Sequence, residues 1–218
     1  FPTRRSSDLT GSGIDFGLMT NAGTYTVMAT DGPTSCSSTM VSSATVTILP
    51  LPTAYAVTGG GSYCAGTTGV PVGLNGSVFG ISYQLYNSGA PLGAPVTGTG
   101  GAITFGPQTM AGAYTVVGTN LSTTCASTMT GGANITIKPL PNPQLVTGGG
   151  GYCAGSAGVN IGISGSDMGI SYQLFNGSIP VGIAMSGTGS PLDFGVKNGV
   201  GTYTVKASNS LTTCFDMM

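Results

Sequence analysis

The stretch ISYQLYN, residues 81–87, alternates apolar and polar side chains and returns as ISYQLFN at residues 170–176. Upstream of this stretch, GGGSYCAG around Cys64 returns as GGGGYCAG around Cys153. Three further sets occur three times, namely Cys36, Cys125 and Cys214; Tyr25, Tyr114 and Tyr203; and Phe16, Phe105 and Phe194. Each recurrence is displaced by 89 residues. A fixed period of this kind predicts tandem copies of one structural unit.

The period divides the chain into four parts. Residues 10–51 are expected to be the C-terminal part of a first repeat, 52–140 a complete second repeat, and 141–218 a third repeat without its last strand. Met218 corresponds to Met129, so the third copy lacks a counterpart of ANITIK at 133–138. Residues 1–9, FPTRRSSDL, break the register and resemble a translated sequencing adapter; we expect an artefactual leader there.

Charge is scarce beyond residue 9. That part carries three lysines and five aspartates, with no Glu, His, Arg or Trp. A nucleic-acid-binding protein needs a basic face that neutralises phosphates, which three scattered lysines do not supply. Apolar runs are far shorter than the roughly 20 residues that cross a bilayer. We therefore expect neither nucleic-acid binding nor membrane insertion in this fragment.

The complete copy reads as seven short strands between glycine-rich turns. They are expected near Ala54, Val70, Ile81, Ala94, Ala102, Ala113 and Ala133, and none of the chain has helical periodicity. This pattern predicts an all-β fold of tandem antiparallel β-sandwiches of the immunoglobulin-like type. The expected core is Val70, Val72, Leu74, Ile81, Tyr83, Leu85, Ile103, Phe105, Tyr114 and Val116. In the first repeat, strands are expected near Ile14, at 24–30 and at 43–49.

Two junctions, at 48–52 and 137–143, share a Pro-Leu-Pro core. Proline fixes φ and favours extended geometry, so these segments are expected to be short, semi-rigid spacers. The repeats are therefore predicted to form a rod.

The cysteines follow the period as well. Cys64 precedes Cys125 by 61 residues, and Cys153 precedes Cys214 by the same interval. One disulfide per repeat is therefore predicted, Cys64–Cys125 and Cys153–Cys214, with Cys36 left unpaired by truncation. Without histidine or a Cys-x-x-Cys pair, a zinc site is not expected. Disulfides persist in oxidising compartments, which predicts an extracellular or cell-surface protein.

The GGGSYCAG opening, the SYQLYN strand, the Gly-x-Tyr-x-Val strand and the Pro-Leu-Pro linker together resemble the immunoglobulin-like or PKD-like tandem repeats of Bacteroidota secreted and surface proteins. The resemblance covers residues 10–218. It implies a bacterial, adhesin-like or spacer role and carries no catalytic residue across. It also implies a tyrosine corner at Tyr25, Tyr114 and Tyr203, whose hydroxyls would bond nearby backbone.

Catalysis is not expected, because general acid–base chemistry would fall on isolated aspartates. Asp167 and Asp193 correspond to Val78 and Thr104 in the second copy. No cofactor is predicted, and without Asp-x-Asp spacing no calcium or other metal site is predicted.

Two functional readings remain. The first is a structural or adhesive segment of a larger protein, with a glycan or protein polymer as partner. The alternative is carbohydrate-binding or spacer modules attached to an extracellular hydrolase, with Tyr63, Tyr86, Tyr152 and Phe175 as stacking platforms. These aromatic residues have a plainer reading, in which Tyr63 and Tyr152 cover the disulfides while Tyr86 and Phe175 fill a strand face.

Overall fold

A computed structural model describes residues 13–218, so the expected leader at residues 1–9 lies outside the described residues. Every regular element in the described part is a β-strand. The first repeat contributes β1 (Gly23–Thr30) and β2 (Ser37–Val46). The second repeat contains β3 (Val57–Gly59), β4 (Gly61–Cys64), β5 (Val70–Leu74), β6 (Ile81–Asn87), β7 (Ala90–Thr97), β8 (Ile103–Gln108), β9 (Gly112–Asn120), β10 (Ala126–Thr128) and β11 (Ala133–Lys138). The third contains β12 (Val146–Gly148), β13 (Val159–Ile163), β14 (Ile170–Asn176), β15 (Ile179–Ser186), β16 (Leu192–Lys197), β17 (Tyr203–Asn209) and β18 (Phe215–Met217).

The second repeat is a sandwich of two sheets. One sheet has the order β3-β5-β8, and the other has the order β4-β11-β9-β6-β7, with β10 added beside β9. The strand pairs are antiparallel except β4 with β11, which run parallel. The third repeat has the matching sheets β12-β13-β16 and β15-β14-β17-β18. This division of strands is that of an immunoglobulin-like sandwich, so the predicted fold class is confirmed.

The core lies between the sheets and follows the alternation of each strand. On β6, Ile81, Tyr83 and Leu85 are buried while the residues between them are half-buried. Eight of the ten predicted core residues are buried, and Val70 and Phe105 are partly buried against the same cluster. The cluster also contains Met129, Ala133 and Ile135, which the strand pattern did not single out.

One predicted strand is absent from the first repeat. Residues 13–22 form no strand, although a strand was expected near Ile14. The matching segment in the second repeat is β8, which pairs with β5. A strand is held by its ladder partner, and the described part of the first repeat has no segment equivalent to β5. β1 and β2 pair with each other, and nearly all their side chains are exposed.

The direction of the chain through the second repeat defines two ends. Ala56 bridges Thr130 in parallel, and from there the chain runs beside β11 until Cys64 faces Lys138. The chain therefore enters at the end that holds the loop 120–125 and leaves at the end that holds Cys64 and Lys138. We call these the inlet end and the outlet end, and use the same names for the equivalent ends of the other repeats.

Candidate functional site: the joint between the second and third repeats

The outlet end of the second repeat presents Cys64 on the last residue of β4. The parallel pairing places Cys64 beside Lys138, and the Ala65 amide donates to the Lys138 carbonyl at 2.9 Å. The Tyr63 hydroxyl donates to the Thr109 carbonyl at 2.5 Å, which ties β4 to the turn before β9. These bonds hold the Cys64 sulfur at the tip of the sandwich.

The inlet end of the third repeat presents Cys214 on a short loop after β17. The Asn209 amide donates to the Cys214 carbonyl at 2.9 Å, and the Thr213 amide donates to the Asn209 carbonyl at 2.8 Å. The Asn209 side-chain oxygen accepts from the amides of Leu211 and Thr212. Thr213 itself has φ of 63°, a conformation that β-branched residues seldom adopt. A strained residue next to a cysteine is held there by the surrounding hydrogen bonds.

The two ends meet in a disulfide between Cys64 and Cys214, with Cα atoms 5.6 Å apart. Beside it, the Lys138 ammonium donates to the Thr212 carbonyl at 3.3 Å. Cys214 is fully buried at this contact. Three peptide steps separate Lys138 from Pro141, about 10 Å at full extension, so the linker itself keeps the two ends together.

The predicted disulfides Cys64–Cys125 and Cys153–Cys214 are therefore wrong as pairs, since Cys64 and Cys214 bond to each other across the joint. Cys64 lies three residues beyond the point where Ile135 faces Gly112, whereas Cys125 adjoins the Asn120 end of β9. At about 3.3 Å per residue, β9 separates them by at least about 25 Å. A disulfide needs Cα atoms within about 7 Å.

The other three cysteines are free in this structure. Cys36 and Cys153 are exposed, and Cys125 is half-buried. Cys125 occupies the position of Cys214 one repeat earlier, and Cys153 occupies the position of Cys64 one repeat later. Each of the two bonded cysteine positions thus also occurs, in another repeat, as a free cysteine.

The recurring tyrosines each bond backbone four residues upstream. The hydroxyls donate from Tyr25 to Asn21 at 2.8 Å, from Tyr114 to Met110 at 2.7 Å, and from Tyr203 to Gly199 at 2.9 Å. Burial raises the pKa of Tyr114, and nearby Tyr63 adds a smaller increase. These bonds fix the turn that leads into the strand at each copy.

The structure does not bring the candidate stacking residues onto one face. Tyr63 packs against the core of the second repeat. Tyr86 alternates with buried Leu85 and Asn87, so it points to the opposite, outer face of β6. Phe175 occupies the same outer position on β14. Tyr152 is half-buried, and its hydroxyl donates to the Asn198 carbonyl, as Tyr63 does to Thr109.

Polar chemistry is sparse elsewhere. Within residues 13–218, no three Cys, Asp or Glu side chains gather as metal ligands, and no helix is long and apolar enough to cross a membrane. Asp167 accepts from the Asn142 side chain, and Asp193 accepts from the Gly195 amide. A shallow hollow of about 300 Å³ on the β3-β5-β8 sheet is lined by nine residues that carry no titratable side chain.

The fold and the joint define a class: immunoglobulin-like sandwiches in tandem, bonded end to end by a disulfide between neighbours. Two solved structures show a distant likeness. One is a human OSCAR ligand-binding domain, with 13% sequence identity and a TM-score of 0.34. That match spans 78% of this chain and 99% of the OSCAR chain. The other is a chain of a cytokine receptor complex, with 16% sequence identity and a TM-score of 0.27. That match spans 75% of this chain and 95% of the receptor-complex chain. At these values neither likeness supports a function. No family model and no curated protein sequence matches the chain.

Proposed function

We propose that this chain is a structural, load-bearing segment of a larger secreted or cell-surface protein, in which successive repeats hold another part of the protein at a distance. The observation that carries this proposal is the Cys64–Cys214 disulfide, which joins two repeats rather than closing one. A bond inside a module protects that module alone. A bond across a joint also limits how far two modules can separate or tilt.

The path of tension through the chain explains the mechanical value of this arrangement. Force applied along the chain reaches Cys64 and passes through the disulfide to Cys214, so the 150-residue interval between them carries no load. Both sandwich cores lie largely within this interval, so tension transmitted through the bond cannot unravel them. The rod shape expected from the Pro-Leu-Pro linkers belongs to the same proposal.

Single-molecule stretching of the chain between its two termini tests the proposal. In oxidising buffer, we expect release of only the residues outside the bonded interval. Addition of a thiol reductant should then release roughly 500 Å more, since about 150 residues extend by some 3.3–3.6 Å each. Cys64→Ser should give the long extension without reductant, whereas Cys36→Ser should behave as the unmodified chain. Full extension of the unmodified oxidised chain would exclude a load-bearing joint.

The compartment follows from the same bond. Disulfides of this kind form and persist outside reducing cytosol, so the proposed location is extracellular or on the cell surface. The near absence of charge suits a spacer that does not attract polyelectrolytes.

A carbohydrate-binding role is the second candidate, and the recurring outer-face aromatic residues Tyr86 and Phe175 favour it. Half-exposed rings at the same position of successive repeats could stack on sugars of a polymer with added avidity. Affinity electrophoresis in gels containing polysaccharides checks this: retardation of the unmodified chain should disappear in Tyr86→Ala/Phe175→Ala. Val200→Ala, at an exposed apolar site outside the strands, is the control. Unchanged retardation in the double variant would reject these rings as the platform.

A further inference from the structure

We propose that the Cys64–Cys214 bond is one instance of a joint that recurs between consecutive copies of this repeat. On this view the loop around Cys125, at the inlet end of the second repeat, is a docking and cross-linking surface. Its occupant is the outlet end of another copy of the repeat, bonded through the cysteine equivalent to Cys64. This inference goes beyond the proposed spacer role, which needs only the one joint that is observed.

The first support is that the Cys125 loop already has the conformation of its bonded counterpart. The Asn120 amide donates to the Cys125 carbonyl at 2.9 Å, and the Thr124 amide donates to the Asn120 carbonyl at 2.8 Å. Thr124 has φ of 61°, against 63° for Thr213. Asn120 also accepts from the amides of Ser122 and Thr123, as Asn209 does from its own loop. The loop is thus in its bonding conformation without the bond.

The second support is the difference in burial between bonded and unbonded copies of the same position. Cys214 is fully buried, whereas Cys125 is half-buried and Cys36 is exposed. The loops of Cys125 and Cys214 match in sequence and conformation, so the additional covering of Cys214 comes from the second repeat, to which it is bonded through Cys64. The surface around Cys125 is therefore one that a copy of this repeat covers elsewhere in the same molecule.

The third support is the direction of the chain. The second repeat enters at the end that holds its late cysteine, Cys125, and leaves at the end that holds its early cysteine, Cys64, and a Pro-Leu-Pro linker stands both before and after it. A short linker between outlet and inlet ends brings the same two cysteine positions together at each junction. The 89-residue period then makes every such separation the observed 150 residues.

The bond forms by two exchanges with a small-molecule disulfide such as oxidised glutathione. The thiolate of the early cysteine attacks one glutathione sulfur, which breaks the glutathione S–S bond and releases one glutathione thiol. The late-cysteine thiolate then attacks the early-cysteine sulfur, which forms the protein disulfide and releases the second glutathione. Two protein thiols are oxidised, and one disulfide reagent is reduced to two thiols.

The test uses the full chain with residues 52–140 repeated once more after residue 140, which adds two cysteines and joins Leu140 to Pro52 within an intact Pro-Leu-Pro linker. After oxidation in glutathione buffer, free thiols are alkylated under denaturing conditions and counted by mass spectrometry. The unmodified chain should show three free thiols. A recurring joint uses both added cysteines, so the extended chain should again show three. Five free thiols would mean that the joint does not recur, and one would mean pairing within repeats; either result overturns the proposal.

A matched pair of variants of the extended chain identifies the partner. Cys125→Ser in the added, downstream copy should raise the count from three free thiols to four, because the upstream early cysteine loses its partner. The same substitution in the upstream copy removes a thiol that is already free, so the count should fall to two. Equal counts in the two variants would contradict the proposed pairing. Failure here leaves the stretching test of the spacer role unaffected, because that test depends on the Cys64–Cys214 bond alone.

Discussion

Tyr114 is fully buried, and its hydroxyl donates to the Met110 carbonyl. Burial, as the largest cause, raises the pKa of this phenol above its ordinary value near 10. The folded protein therefore holds the proton more tightly than the unfolded chain. The resulting stability is fully present below about pH 10 and is lost as the pH rises through the folded value.

Tyr114→Phe tests this effect. At pH 7, the variant should lose about 1 kcal/mol of unfolding free energy, because the hydrogen bond to Met110 is removed. Above pH 10, the difference from the unmodified protein should shrink, since phenylalanine has no proton to lose. Urea unfolding followed by circular dichroism between pH 7 and 11 measures both quantities. If the unfolding free energies of the two proteins change in parallel with pH, Tyr114 is excluded as the source of the loss of stability above pH 10.

The backbone at Thr124 is held at a positive φ of 61°. Asparagine tolerates positive φ better than a β-branched residue, so Thr124→Asn should raise the unfolding free energy by about 1 kcal/mol. Thermal or urea unfolding measures the gain. Ser122→Asn, on the same loop and without positive φ, should stay within about 0.5 kcal/mol of the unmodified protein. A loss of stability in Thr124→Asn would contradict the strain at that position.

Among the elements of the second repeat, two glycines mark close approaches to neighbouring segments. Gly98 follows β7, and a Cβ there would lie 2.0 Å from the Val78 carbonyl oxygen. Gly118 lies on β9, and a Cβ there would meet side-chain atoms of Met129 and Tyr83 at 3.0 Å. The third repeat keeps Gly187 at the first position but has a fully buried Ala207 at the second.

These contacts predict losses of different size for the same substitution at the two glycines. Gly98→Ala should lower the unfolding free energy by about 2 kcal/mol or more, because the backbone must move away from a carbonyl oxygen. Gly118→Ala should change it by less than about 1 kcal/mol, because the end of Met129 can shift and a strand glycine is itself unfavourable. Denaturant unfolding of both variants gives the comparison. Equal losses would show that the two approaches do not differ as described.

At the scale of the whole molecule, the joint couples repeats that have separate cores. The Cys64–Cys214 bond and the Lys138–Thr212 hydrogen bond are the polar and covalent contacts that hold it. Two nearby attachments, the linker and the disulfide, leave two bonded modules fewer relative orientations than one attachment does. The joint therefore restricts bending between the second and third repeats.

Small-angle X-ray scattering of Cys64→Ser measures this restriction. Loss of the bond should broaden the distance distribution, because the second and third repeats are then connected by the linker alone. Cys36→Ser removes a thiol that is already free and should leave the distribution unchanged. Identical curves for both variants and the unmodified chain would show that the linker alone determines the orientation of the repeats.

The amino-acid sequence determined the local structure. Alternation in ISYQLYN places Tyr83 and Leu85 inward, and glycine-rich turns delimit strands short enough for a sandwich. Met129 was missed because it lies outside a strand, after β10, where no two-residue period identifies it. Ala133 and Ile135 alternate as inward residues of β11 but were not included in the expected core. The prediction of a strand near Ile14 was wrong because strand-forming residues still need a neighbouring strand to pair with.

Only the tertiary structure decided the partner of each cysteine. Cys64 is 61 residues from Cys125 and 150 residues from Cys214, and both separations are compatible with the 89-residue period. The spacing therefore cannot decide whether a cysteine bonds within its own repeat or to the next one. The choice depends on which end of the sandwich each cysteine occupies, and this follows from the pairing of β4 with β11 and of β10 with β9. Strands about 25 Å long keep the two cysteines of one repeat apart, whereas the short linker from Lys138 to Pro141 brings Cys64 close to the cysteine of the next repeat.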